Sequence, residues 1–358
     1  MPDRIPLNVL LGVPDYARGV VRVAPDGSHL RVEGNRDQRS LHMAKGLLSV
    51  DPNGDERISL RGSLNLVPFL SRERFAIRRF YLQKSAALRM RIGRGAILNQ
   101  IADPDICPGA LSVATRLVSE ISRPCFNPPA AVSRTSRDGA AAMLTGIAGL
   151  RVPKTLRVRA PTPARVRDAI AQGGLEYPVL LRGIGSHGGV SLTKADGPEG
   201  VDDFPWSPGG DWGLYVTEFR DFKGSDGRYR KFRIVVIGDE ILLRHCIIGD
   251  QWLLHAGTRA SGTEEGERAM FDVFDRQWAV PLRPVFREMS ARLGLDLYGV
   301  DCNIDDDGQV LVFEANACMN ILKNTSPSPN MWDAPIARIK SAVEERLASP
   351  SLWYRAAS

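Results

Sequence analysis

Late in this 358-residue chain, the apolar runs Val300–Ile304 and Gln309–Ala315 flank the acidic stretch Asp305–Asp307 and Gly308. Two such runs around an Asp-Gly pair read as a β-hairpin. A two-residue turn at Asp307-Gly308 pairs position 306 with 309 and, counting back, Asp301 with Glu314. Asn316 then lies on the same face, two residues further on. A four-residue turn would slip the pairing by two and keep the face, whereas an odd-length loop would break it. Opposed carboxylates repel, and Val310–Phe313 are too apolar to solvate them. A divalent cation between them would remove the conflict. Two carboxylates and an amide oxygen (Asp301, Glu314, Asn316) suit Mg2+, or Mn2+. Asp305–Asp307 are read as solvated turn residues.

Two other stretches carry chemistry. In Pro178–Gly189 (PVLLRGIGSHGG) a strand delivers Arg182 into a loop with four glycines and a serine. Such a loop, with Gly185, Ser186, His187, Gly188 and Gly189 at its tip, lets backbone N–H groups approach phosphate oxygens. It matches neither of the two common phosphate-loop patterns. In Asp226–Ile237 (DGRYRKFRIVVI), strand alternation puts Tyr229, Lys231 and Arg233 on one face. Arg233 adjoins the apolar run Ile234–Ile237, so it is the basic residue there expected to be buried, and a buried cation needs an anion.

The rest of the chain reads as α+β. Asn8–Val13 and Gly95–Ile101 are short buried strands, and Gly109–Ile121 has helical spacing. The proline-rich Arg123–Ala130 follows. Residues 14–90 show no pattern that orders their elements. A helix is expected over Gly139–Leu150, then strands at Tyr177–Leu181, Gly213–Phe219, Phe232–Ile237 and Glu240–Ile248. The last two pair through a Gly238-Asp239 turn. Helices are expected over Pro284–Gly294 and through Ile336, Ile339, Val343 and Leu347. The division that follows is 1–134, an N-terminal α/β domain, and 135–350, a second domain with parts near 135–213 and 214–350.

Composition narrows the class. Hydrophobic residues make up 43% of the chain, too many for disorder throughout. No apolar run approaches the ~20 residues of a membrane span. Residues 1–8 lack the apolar stretch of a secretory signal. The net charge is +6, and only eight of the 47 basic residues are lysine. Arginine suits phosphate and carboxylate, but acids are interleaved throughout and no aromatic-basic patch stands out, so nucleic acid is not the expected partner. Five cysteines without a C-x-x-C pair argue against a disulfide framework or a zinc site, and fit a reducing cytoplasm.

Taken together, these stretches resemble the ATP-grasp superfamily, which includes glutathione synthetase, D-alanine–D-alanine ligase and the ribosomal-protein glutamate ligases. The resemblance covers about Asn99 to Leu322. Its most specific part is Gly299–Asn316 (GVDCNIDDDGQVLVFEAN), and Asn99–Asp105, Asn127–Asp138 and Thr217–His255 are similar to a bacterial subgroup of unassigned product. The resemblance implies two α+β subdomains clasping ATP behind an N-terminal α/β domain. It implies Asp301, Glu314 and Asn316 as metal ligands, Arg233 at the terminal phosphates, Gly185–Gly189 as the phosphate-covering loop and Glu218 as the hinge residue for adenine and ribose. Arg137 matches the first basic residue of the ATP site. The family usually has lysine where Arg137 and Arg182 stand. It often has arginine where Gly299 stands, a duty for which Arg244 and His245 are candidates.

The implied activity is ligation of a small-molecule carboxylate to an amine, amino acids or a peptide among them, through an acyl phosphate with release of ADP. A kinase on the same fold and a non-catalytic nucleotide-binding protein are the alternatives, and a homodimer is compatible with either.

Overall fold

The computed structural model describes residues 4–64, 66–84, 90–186, 192–206 and 213–354. The first apolar run forms β1 (Ile5–Gly12), buried from Leu7 onward. It pairs in parallel with β2 (Phe75–Leu82) and β3 (Ala96–Asn99), and β3 pairs in parallel with β4 (Cys125–Phe126). Helix α1 (Pro108–Ile121) begins on a proline, whose missing N–H costs nothing in a first turn, and sinks Ala110, Leu111 and Ala114 into the core. The region between β1 and β2, whose elements no sequence pattern arranged, holds a capped helix, Arg36–Ala44, and two hairpins, Val21–Val23 with Leu30–Val32 and Leu48–Val50 with Glu56–Ile58.

Helix α2 (Arg137–Leu144) is shorter than the expected 139–150. Its Ser136 cap starts it two residues earlier, and Gly146 and Gly149, at φ +83° and +85°, turn the chain away from helix beyond Leu144. After β5 (Leu150–Arg151), a small antiparallel sheet forms in the order β6 (Thr155–Val158), β9 (Leu214–Glu218), β7 (Val179–Gly183), β8 (Leu192–Ala195). Helix α3 (Pro163–Gln172) covers it with Val166 and Ile170.

The largest sheet runs β11 (Glu240–Gly249), β10 (Tyr229–Ile237), β12 (Leu297–Ile304), β13 (Val310–Asn316), β5. Alternation along β10 divides its side chains between two cores. Phe232, Ile234 and Val236 pack with Phe286 and Met289 of α4 (Arg283–Leu293), while Val235 and Ile237 pack with Ile339 and Val343 of α5 (Asp333–Leu347) and with β1. Among the described residues no helix is long and apolar enough to cross a membrane.

The turn between β10 and β11 is the expected two-residue Gly238-Asp239, with Ile237 opposite Glu240. The loop between β12 and β13 is not the expected one. Gly308, at φ +77°, donates its N–H to Asp305 O (3.0 Å), and Asp305 donates to Gln309 O (3.1 Å), which makes a three-residue loop. Alone, that odd loop would turn Glu314 to the other face. A bulge with Phe313 as the extra residue cancels it, and Asp301 pairs with Glu314 after all. A second bulge, with Arg244 extra, brings His245 opposite Arg233, which itself pairs with Asp301. One row of His245, Arg233, Asp301 and Glu314 therefore crosses four strands.

Candidate active site

That row floors a cavity of about 490 Å³ between the largest sheet and the small one. Its charged end is lined by Arg137, Arg182, Lys231 and Arg233 together with Asp301 and Glu314, four cations against two carboxylates. Its other end is aromatic. Phe219 meets Trp252 edge-on with ring centres 5.6 Å apart, Phe222 meets Phe313 at 4.7 Å, and all four rings line the wall.

The two carboxylates were expected to repel until a cation joined them. Arginine relieves that conflict here. Arg233 donates from Nε and Nη2 to the two oxygens of Asp301 at 2.7 and 2.9 Å. Arg137 Nη2 stands 2.7 Å from Glu314 Oε1, an ion pair without hydrogen-bond alignment. Burial would raise the Asp301 pKa, but the charge and hydrogen bonds of Arg233 hold it far below the usual carboxylate range. Lys231, 3.9 Å from Asp301, also donates to the Leu254 carbonyl; burial pushes its ammonium down from its ordinary value. Arg182 has no hydrogen bond or ion pair among the described residues, and burial with the nearby Arg137 pushes it down to about 10. It remains charged and faces the cavity.

Asn316 sits beside Glu314 rather than in the main cavity wall. Its amide donates to the Glu314 carboxylate, and its Oδ1 accepts from Cys318 N–H at 2.8 Å, so it orients Glu314. His245 lines the cavity with Nε2 unpartnered, and burial and then Arg233 push it well below the usual imidazole range, so it is neutral. Arg244 does not join it. As the extra residue of the bulge it turns away from the cavity wall and donates to the carbonyls of Ile321 (3.0 Å) and Lys323 (3.2 Å). This corrects its expected place at the reacting phosphate. The same 317–323 segment explains Gly299, where a Cβ would come 2.5 Å from Met319 Sδ, leaving no room for an arginine.

Glu218, at the end of β9, lines the aromatic end; its carboxylate pairs with Arg220 at 2.6 Å and accepts from Lys154 N–H at 3.4 Å. Gly185, at φ +76°, and Ser186, whose hydroxyl donates to Gly183 O at 2.7 Å, form the tight start of the glycine-rich loop. His187, Gly188 and Gly189 lie outside the described residues. The resemblance names no nucleotide-binding role for Lys231, although alternation puts it on the face of Arg233 among the basic groups that could neutralise an acidic substrate. Trp252, Phe219 and Phe222 come from loops without periodicity, so no pattern singled them out.

The oxygen-only donor set of Asp301, Glu314 and Asn316 is what a hard divalent cation takes, and the Asn316 oxygen keeps a second lone pair. The residues fit such an ion, provided that Arg233 and Arg137 find other anions.

No protein-family model and no curated protein sequence matches the chain. Solved structures do. The VanG D-Ala:D-Ser ligase from Enterococcus faecalis is similar at 13% identity and a TM-score of 0.50, over 97% of this chain and 99% of that one. The D-alanine–D-alanine ligase from Bacillus anthracis (12% identity, TM-score 0.49) covers 97% of both chains. An ATP-grasp RimK domain protein from Sphaerobacter thermophilus (14%, TM-score 0.46) covers 96% of this chain and 98% of its own. At 13% identity the likeness to the VanG ligase is one of architecture, and it covers 97% of this chain: this protein has the same fold, the ATP-grasp fold.

Proposed function

We propose that the protein is an ATP-dependent carboxylate–amine ligase that requires Mg2+ or Mn2+ and works through an acyl phosphate. The polarity of the cavity carries this reading, with aromatic rings at one end and four cations facing two carboxylates at the other. A nucleoside triphosphate has the same polarity. Its base stacks on aromatic rings, and its phosphates suit arginine forks.

In this reading Arg182, Lys231, Arg233 and Arg137 take the phosphate oxygens, and Glu218 takes the ribose hydroxyls. Asp301 and Glu314, with Asn316, would hold the metal ion, which when bound supplies Lewis-acid stabilisation of phosphate charge. The pair with Arg233 keeps Asp301 ionised, and both arginine–carboxylate pairs aim their acids before a ligand arrives. A substrate carboxylate oxygen attacks the γ-phosphorus, and the bond to the β–γ bridging oxygen breaks, releasing ADP. The amine then attacks the acyl carbon and loses a proton, and phosphate leaves with one former carboxylate oxygen. Arg182 and Arg233 offset charge building on the transferring group. His245, neutral and part of the cavity lining, is too weakly basic to carry a proton.

Among the similar folds, one named as a D-Ala:D-Ser ligase supports amino-acid-sized carboxylate and amine substrates. ADP release screened against pools of amino acids and small acids tests the reading. Acid- and amine-dependent formation of ADP and phosphate is expected. ATP turnover indifferent to both would contradict it.

A further inference from the structure

The stretches Asn99–Asp105 and Asn127–Asp138 have so far only Arg137 to show for their resemblance. Their acids meet at Arg157 of β6. Arg157 donates from Nε and Nη2 to the two oxygens of Asp138 at 2.9 and 2.8 Å, and Nη2 also donates to Asp105 Oδ1 at 2.9 Å. Tyr215, its cross-strand partner on β9, donates its hydroxyl to Asp105 Oδ2 at 2.6 Å. The guanidinium lies 4.9 Å from the centre of the Tyr215 ring. Burial alone would raise the Asp138 pKa, yet the bonds from Arg157 and Ser136 hold it at about 2. Asp138 and Arg157 are therefore charged throughout the neutral range.

The four members come from three parts of the fold. Asp105 belongs to the loop between β3 and α1, beside the first sheet, and Arg157 and Tyr215 belong to the small sheet. Asp138 is the second residue of α2, directly after Arg137. The Asp105 loop also comes close to the small sheet's glycine turn, since a Cβ added at Gly185 would lie 3.6 Å from Ile106 Cγ1. Of the four residues only Tyr215 lines the cavity. Pinning Asp138 sets the first turn of α2, and that turn is what carries Arg137 to Glu314 at 2.7 Å.

We propose that Asp105, Arg157 and Asp138 are positioning residues: a clasp that ties the small sheet to the first sheet's loop and aims Arg137, so that a carboxylate outside the cavity sets nucleotide affinity. The identity of the ligand rests on the ATP reading above; the clasp itself does not.

Asp105→Asn keeps the size and removes the charge. ATP is titrated calorimetrically into the wild type, Asp105→Asn, Arg137→Ala and the double variant, and amide exchange of β6 and β9 is followed without nucleotide. Loss of one charge-assisted bond should weaken ATP about tenfold and speed exchange in both strands. On the Arg137→Ala background the same change should cost less than about twofold, because both act through one side chain. A full tenfold loss on both backgrounds, or unchanged affinity in Asp105→Asn, overturns the proposal. Should ATP fail to bind the wild type, the nucleotide reading falls and exchange alone decides the clasp, faster exchange supporting it and unchanged exchange refuting it. If Asp105→Asn does not fold, Tyr215→Phe removes a single hydroxyl of the same cluster; faster exchange in β6 supports the clasp, and wild-type exchange refutes it.

Discussion

Arg233 and Asp301 face each other on β10 and β12 and share two hydrogen bonds, at 2.7 and 2.9 Å. Neither is a bare charge, although both are largely buried. Arg137, from α2, forms a second ion pair with Glu314 on the adjacent strand, at 2.7 Å and without hydrogen-bond alignment. Both carboxylates are thus paired within a site that keeps an excess of cations, and an incoming triphosphate and divalent cation would each take one half of both pairs. Nucleotide and metal should then bind with positive coupling, each freeing the partner that the other needs.

Metal dependence follows. ATP turnover should require Mg2+ or Mn2+, and Glu314→Gln should lower it by more than about 100-fold while circular dichroism stays that of the wild type. Undiminished turnover in excess chelator would contradict the assignment of Asp301 and Glu314.

Arg182 is the cavity's uncommitted cation among the described residues. Arg182→Lys should retain measurable ATP affinity and Arg182→Ala should lose about 1.5–3 kcal/mol, or one to two decades. Equal calorimetric affinity of wild type and the alanine variant would remove this residue from the nucleotide site.

Gly299 tests the packing account of the missing arginine. A methyl group there meets Met319 at 2.5 Å, so Gly299→Ala should destabilise the fold by about 1–3 kcal/mol. Pairing it with Met319→Gly, which removes the Cβ that would lie 2.6 Å away as well as the sulfur, should recover part of that loss in urea unfolding; no recovery would mean that Met319 is not the obstacle.

Asp296 gives a pH signature. It is buried, accepts from Asn127 and Tyr354 N–H groups, and burial raises its pKa to about 6. The folded state holds this proton more tightly than the unfolded one, so the contribution of Asp296 is most favourable below about pH 4 and is lost as pH rises to about 6. Asp296→Asn should therefore gain stability relative to wild type between pH 4 and 7, by up to about 3 kcal/mol. Parallel Tm–pH curves for the two proteins would refute the shift.

The hairpin was legible because alternation and an Asp-Gly pair leave a mark in sequence. The pairing of Asp301 with Glu314 came out right through two departures that cancel, an odd loop and a bulge. A bulge at Phe313 could not be read, since Phe313 is as apolar as its neighbours. The bulge at Arg244 decided between two basic neighbours, sending His245 to the cavity and Arg244 to the 321–323 carbonyls. Residues 14–90 resisted reading because their two hairpins have three-residue strands, too short for a period to show. The Arg157 cluster was invisible for another reason: its acids lie 52 and 19 residues away in sequence.

The central claim is that a substrate carboxylate attacks the γ-phosphate. A pool of amino acids and small acids carrying heavy oxygen in their carboxylates, incubated with ATP, Mg2+ and the protein, tests it by mass spectrometry of the products. The account predicts ADP and inorganic phosphate carrying one labelled oxygen. Label in AMP, a stable phosphorylated product without free phosphate, or an amide formed alongside unlabelled phosphate would contradict it.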